Sequence, residues 1–182
     1  AHAVQQDPVA YRLAHTKNNP NLNGALKLVA QKSNWGKNLP SNHFHGVAAH
    51  NSFMSSVAQV AQVSVENNQI KIHKITCVVD CGLVVNPDIV KAQMKSGIIF
   101  ALTAALYGEI TLKDGAVQQS NFHDYAIMRM NETPEIDVHI VQSDAAPTGV
   151  GEPGVPPVAA AVANAVFAAT GKRLRSLPLK LS

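Results

Sequence analysis

Hydrophobic and polar positions alternate with two different periods along this chain, helical at its start and extended in its middle. "QDPVAYRLAHTK", residues 6–17, opens with Asp7 as N-cap and Pro8 at the first helical position, where a missing N–H does no harm. A second short helix is predicted over "NGALKLVAQKSNWG", with Leu26, Val29 and Ala30 as its apolar side and Gly36 as its stop. "NNPNLN" between the two reads as a turn-rich connector. From His45 the pattern turns extended. "SSVAQVAQVSV" and "QIKIHKITCVVD" are rich in Val and Ile and flank "ENN", a hairpin turn.

Further on, "NPDIVKAQMKSGIIFALTAALYG" predicts a long helix capped by Asn86, with Pro87 at its first position and Gly108 at its end. "GEITLKDGAVQQSNF" predicts a hairpin about Asp114–Gly115, and alternation at Ile136, Val138 and Ile140 predicts a strand. "PPVAAAVANAVFAATG" predicts a second apolar helix between Pro157 and Gly171. Hairpins and helices come in runs rather than in strict alternation, which predicts an α+β fold: a hairpin-built mixed sheet packed with two long apolar helices. Length favours a single unit over 1–182, a helical lead-in over 1–40 followed by an α+β body over 41–182.

Composition narrows the function classes. Charged residues are 15% and hydrophobic residues 46%, with a net charge of +3 spread along the chain, so a nucleic-acid footprint is not supported. The apolar stretch "GIIFALTAALY" is too short to span a bilayer, and no signal-peptide pattern opens the chain. Cys77 and Cys81, four apart on a predicted strand, lie roughly 13 Å from each other, beyond disulfide reach. They read as small buried residues and leave the compartment, periplasm or cytoplasm, open. "HFHG" offers His43 and His45 as metal ligands but lacks a nearby third, which favours packed histidines. Asp80 and Asn86 read as turn and cap formers, His123, Asp124 and Tyr125 lack supporting spacing, and no G-x-S-x-G elbow occurs.

"TGVGEPGVPP", residues 148–157, has its glycines at G-x-G-x-x-G spacing, yet it is no dinucleotide turn. "SDAAPT" separates it from the preceding strand, no Asp or Glu follows Glu152, and a carboxylate in the loop would repel phosphate. Pro153 and Gly151 instead hold Glu152 on a stiff backbone with open space around it, which suits a positioned base. A helix-capping acid ahead of "VPPVAAAVANAV" is the other reading the residues leave open.

Three motifs in order, "VVDCGLVVNPDIVKAQ", "NFHDYAIMRMNETPEIDVHIV" and "GVGEPGVPPVAAAVANAVFAATGKRLRSLPL", resemble the molybdopterin-binding subunit of the molybdenum hydroxylases. This is the xanthine dehydrogenase and aldehyde oxidase family, and the bacterial branch typified by the isoquinoline 1-oxidoreductase beta subunit is most similar. The resemblance implies that Glu152 is the catalytic base, taking a proton as water-derived oxygen attacks an electrophilic carbon. It implies that Gln93, Val150 and Gly151 contact a molybdenum–molybdopterin cofactor, in its cytosine dinucleotide form. It further implies a small-molecule substrate, an aldehyde or a nitrogen heteroaromatic, and two partners: the remainder of the subunit and a protein carrying iron–sulfur clusters. The family's Gln is usually followed by x-Glu-Gly, whereas Met94, Lys95 and Ser96 follow Gln93 here. Family subunits are several times longer, which implies a C-terminal portion. The alternative is a non-catalytic α+β scaffold or assembly module without cofactor.

Overall fold

The computed structural model describes residues 1–181. Helix α1, Pro8–His15, starts as its sequence predicts: one Asp7 carboxylate oxygen accepts from the N–H groups of Val9 and Ala10 at 2.9 and 2.8 Å. Helix α2, Pro20–Lys32, begins three residues earlier than its apolar pattern suggests. The presumed connector is its first turn, because Asn19 caps Leu22 N–H at 3.1 Å and Pro20 takes the first position. Asn23 then ties the two helices, donating to Leu13 O and Thr16 Oγ1 at 2.9 Å each.

Three strands follow, β1 (Phe44–Ser52), β2 (Ser55–Glu66) and β3 (Gln69–Asp80), then helix α3 (Pro87–Leu106). The short strands β4 (Leu112–Lys113) and β5 (Ala116–Val117) form the hairpin at Asp114–Gly115, and β6 (Glu135–Ile140) and helix α4 (Pro156–Thr170) complete the chain. The main sheet runs β1-β2-β3-β6, antiparallel except for β6, which returns parallel to β3 after the α3 crossover. The fold is α+β with a mixed sheet, as the hydrophobic pattern predicts.

The sheet is covered on both faces. Val9, Leu26 and Val29 of α1 and α2 pack on Val47, Ala58, Val60 and Val78. The opposite face, from Val57, Ala61, Ile75, Cys77 and Val79, meets Met94, Ile98 and Leu102 of α3 and Val158, Val162 and Val166 of α4. A two-faced burial explains why β2 lacks clean alternation: nearly every position from Ser55 to Ser64 is buried. Cys77 and Cys81 are buried free thiols, and burial pushes Cys77 up to about 12, so it is inert in the folded chain. Helix α3 is long and apolar enough to cross a membrane by length and composition, but here Val90, Met94, Ile98 and Leu102 face the core.

Helix α4 approaches the edge strand so closely that Gly46 has no room for a Cβ. An added carbon would sit 2.1 Å from Ala165 N and 2.3 Å from Ala161 O, both backbone atoms. Asn164 Nδ2 fixes the same contact by donating to Val47 O at 3.0 Å. Gly46→Ala is therefore expected to destabilise the chain by about 1–3 kcal/mol through overpacking. Gly24→Ala, inside α2 with nothing within 4 Å, should stabilise it by about 0.5–1 kcal/mol. Urea unfolding of both variants checks the opposite signs.

Candidate functional site

The glycine loop that precedes α4 is anchored from several sides. Its N-terminal end is held by backbone bonds, Thr148 N–H to Cys81 O at 2.9 Å and Gly149 N–H to Phe53 O at 3.1 Å. Phe53 and Met54 form the turn between β1 and β2 and both have positive φ, 53° and 63°. Left-handed backbone at two bulky residues is costly and clusters at functional places. Gly149 is glycine because a Cβ there would lie 2.7 Å from Phe53 Cβ. Further along, Gly154 lies on α3, where a Cβ would meet Met94 O at 3.2 Å.

Strand β2 supplies two buried side-chain grips. Ser55 Oγ donates to Gly149 O at 2.7 Å and lies 2.6 Å from Thr148 Oγ1. Gln59 Nε2 donates to Gly154 O at 2.8 Å. Its other amide atom, Oε1, is buried without a partner, at a cost of about 1–3 kcal/mol. The two glutamines that interrupt the apolar run "VAQVAQV" are the one local signal of Gln59, and Ser55 carries none.

Between these grips the loop turns outward. Gly151 and Glu152 are exposed and Val150 is half-buried. A Cβ on Gly151 would meet nothing within 4 Å, so the space beside Glu152 is open. Helix α4 has no side-chain cap: its N-cap position is Val155, whose N–H bonds Glu152 O at 2.9 Å through the backbone. Glu152 thus does not cap α4, and the capping-acid reading has no contact to support it. Among the described residues its carboxylate has no hydrogen bond or ion pair, and the N–H groups of Val150, Gly151 and Glu152 have no acceptor.

Gln93 sits on α3 beside Met94, the residue that carries Gly154. It is half-buried, and among the described residues its side-chain amide has no partner; its carbonyl, besides its place in the helix, accepts from Ser96 Oγ at 3.1 Å. Lys95 and Ser96, which stand where the family pattern has Glu-Gly, are exposed, and Gly97 packs against Val155 with 3.4 Å to an added Cβ. The fold therefore packs Met94 and Gly97, one and four residues after Gln93, against Gly154 and Val155 at the end of that loop.

A pterin with many ring nitrogens and oxygens needs donors and acceptors from a rigid frame. Three consecutive unpaired N–H groups and one free amide supply both, so these residues fit that cofactor. The remaining sequence candidates go elsewhere. His43 stacks on His73 at 3.9 Å and His45 on Trp35 at 5.7 Å, and no group of three metal-ligating side chains occurs among the described residues. Asp124 is held down at about 2 by the N–H groups of Asn121 and Ser120, which makes it a turn organiser and a poor base. Asn86 caps α3 through Asp88 and Ile89, and Asp80 faces Gly82 N–H at 3.4 Å. A cavity of about 790 Å³, lined by Trp35, His45, Phe167 and Arg173 near the other end of α4, includes none of the loop.

Known proteins share this chain's sequence and fold. The isoquinoline 1-oxidoreductase subunit beta of Brevundimonas diminuta is 38% identical over 99% of this chain and 24% of its own length. A membrane-bound aldehyde dehydrogenase (pyrroloquinoline-quinone) of Gluconacetobacter polyoxogenes is 32% identical over 99% of this chain and 26% of its own. The chain thus spans about a quarter of the length of these relatives. Quinoline 2-oxidoreductase from Pseudomonas putida 86 superposes with a TM-score of 0.60 at 26% identity, covering 64% of this chain and 16% of that one. Residues 4–134 match the molybdopterin cofactor-binding domain, and the chain belongs to that family.

Proposed function

We propose that this chain is the C-terminal portion, over 1–182, of the molybdopterin-binding domain of a molybdenum-dependent hydroxylase, with Glu152 as its base. The observation that supports the reading is a loop fixed at both ends whose carboxylate and three N–H groups have no partner among the described residues.

Gln93, Val150 and Gly151 would hold the molybdenum–molybdopterin cofactor, here in its cytosine dinucleotide form, through one amide and two backbone N–H groups. When bound, the cofactor accepts the two electrons removed from the substrate. Glu152 takes the proton released as a water-derived oxygen joins the substrate carbon, and open space at Gly151 lets the substrate approach. The substrate would be an aldehyde or a nitrogen heteroaromatic, the classes named for the relatives in Brevundimonas and Gluconacetobacter. Electrons would leave to iron–sulfur clusters on a partner subunit, and the remainder of this subunit would close the site. Within the chain, residues 1–40 form the helical lead-in and 41–182 the body that carries both contacts.

Glu152→Gln keeps shape and reach but cannot accept the proton. In the intact subunit it should lower turnover of isoquinoline or benzaldehyde at least ~10²-fold with molybdenum content unchanged. Because Glu152 is exposed and caps nothing, the melting midpoint should stay within about a degree. An active Glu152→Gln enzyme would count against the base.

Gln93→Ala removes one hydrogen-bonding amide, worth about 0.5–1.5 kcal/mol, so cofactor affinity should fall by up to about tenfold while folding is retained. Molybdenum per chain, measured after dialysis, reads this directly. A variant with full occupancy and full rate would remove Gln93 from the site.

A further inference from the structure

We propose that Ser55 and Gln59 are positioning residues that aim Glu152, a role resting on the reading of Glu152 as the base. They stand four apart on β2, on the face turned to α3 and α4, and both side chains are wholly buried. Residues at this spacing on a strand are roughly 13 Å apart, enough to grip a loop at two separate points. Ser55 takes Gly149, three residues before Glu152, and Gln59 takes Gly154, two residues after it.

Proton counting fixes the direction of the first grip. Ser55 has one hydroxyl proton and gives it to the Gly149 carbonyl, so Thr148 Oγ1 donates to Ser55 in turn. The second grip has one orientation as well, since only the Nε2 side of Gln59 can face a carbonyl oxygen. Gly149 and Gly154 are the gripped residues and Gly151 lies between them, backbone that would otherwise explore many conformations. Displacing a catalytic group by about 1 Å costs on the order of 10²-fold in rate. A loop so rich in glycine needs its aim set from outside, and β2 is the most deeply buried strand of the sheet.

A purely space-filling role for Gln59 fits poorly. Its neighbours on this face, Val57, Ala61 and Val63, are apolar, and an apolar residue would fill the layer without stranding Oε1. What the polar side chain gains is the Gly154 bond and a weak contact to Cys77 Sγ at 3.8 Å.

The test uses the intact molybdenum-containing subunit with its partner, carrying Gln59→Met, Ser55→Ala and Glu152→Gln, singly and with Gln59→Met and Glu152→Gln combined. Turnover of isoquinoline and benzaldehyde, molybdenum content and amide hydrogen exchange across residues 149–155 are measured. Gln59→Met should lower kcat about 10- to 10²-fold with KM and molybdenum content unchanged, speed loop exchange about tenfold, and cost nothing further on Glu152→Gln. Ser55→Ala should act the same way more weakly, and stands in if Gln59→Met does not fold. Normal kcat and unchanged loop exchange in both variants, beside an inactive Glu152→Gln, would overturn the positioning role alone. So would a full additional loss in the double variant. A fully active Glu152→Gln enzyme would instead overturn the base reading beneath it.

Discussion

Burial of β2 on both faces is the constraint from which the rest of the structure follows. One face must be covered by α1 and α2 and the other by α3 and α4, and neither layer alone would keep its valines from water. Covering the second face draws α4 onto β1 until only glycine fits at position 46. The same packing brings the segment ahead of α4 over the start of β2, where buried Ser55 and Gln59 must find acceptors. The site loop supplies them. Core and site are thus one piece of construction, and the polar groups left over are those that face outward at Val150, Gly151 and Glu152.

Much of the fold was legible because local rules decided it. Asp7–Pro8, Asn86–Pro87 and Gly171 mark helix ends by cap chemistry that needs no tertiary partner, and the structure uses each in that way. Asn67 and Asn68 adopt the positive φ that an Asn-rich hairpin turn demands. The start of α2 was missed for a local reason too, since Asn19–Pro20 is a helix start in form but sits in an Asn-rich run that resembles a turn. The tight turn at Phe53–Met54 was not legible at all. Its residues are among the least suited to left-handed backbone, and only contact with Gly149 explains them.

Legibility of the site divides along the same line. Glu152 could be singled out from its loop, because glycines and a proline around a carboxylate are a local signature. Gln93 could not, since an amide between Lys91 and Lys95 looks like any solvated helix residue until Met94 is seen against Gly154. Here the family resemblance supplied what spacing lacked. Ser55 was invisible to both and Gln59 showed only as a polar interruption of an apolar run, because their meaning depends on partners more than 90 positions away.

That separation bears on how the chain acquires and loses its competence. The hairpins β1-β2 and β2-β3 close over two residues each and can form early, whereas β6 reaches β3 only after the whole α3 crossover. The bonds from Ser55 and Gln59 span 94 and 95 positions and hold a loop that is largely exposed over residues 149–152, which places it at the low-stability end of the molecule. A population that has just begun to melt would retain its strands, its helices and most of its spectroscopic signature. It would already have let go of Glu152.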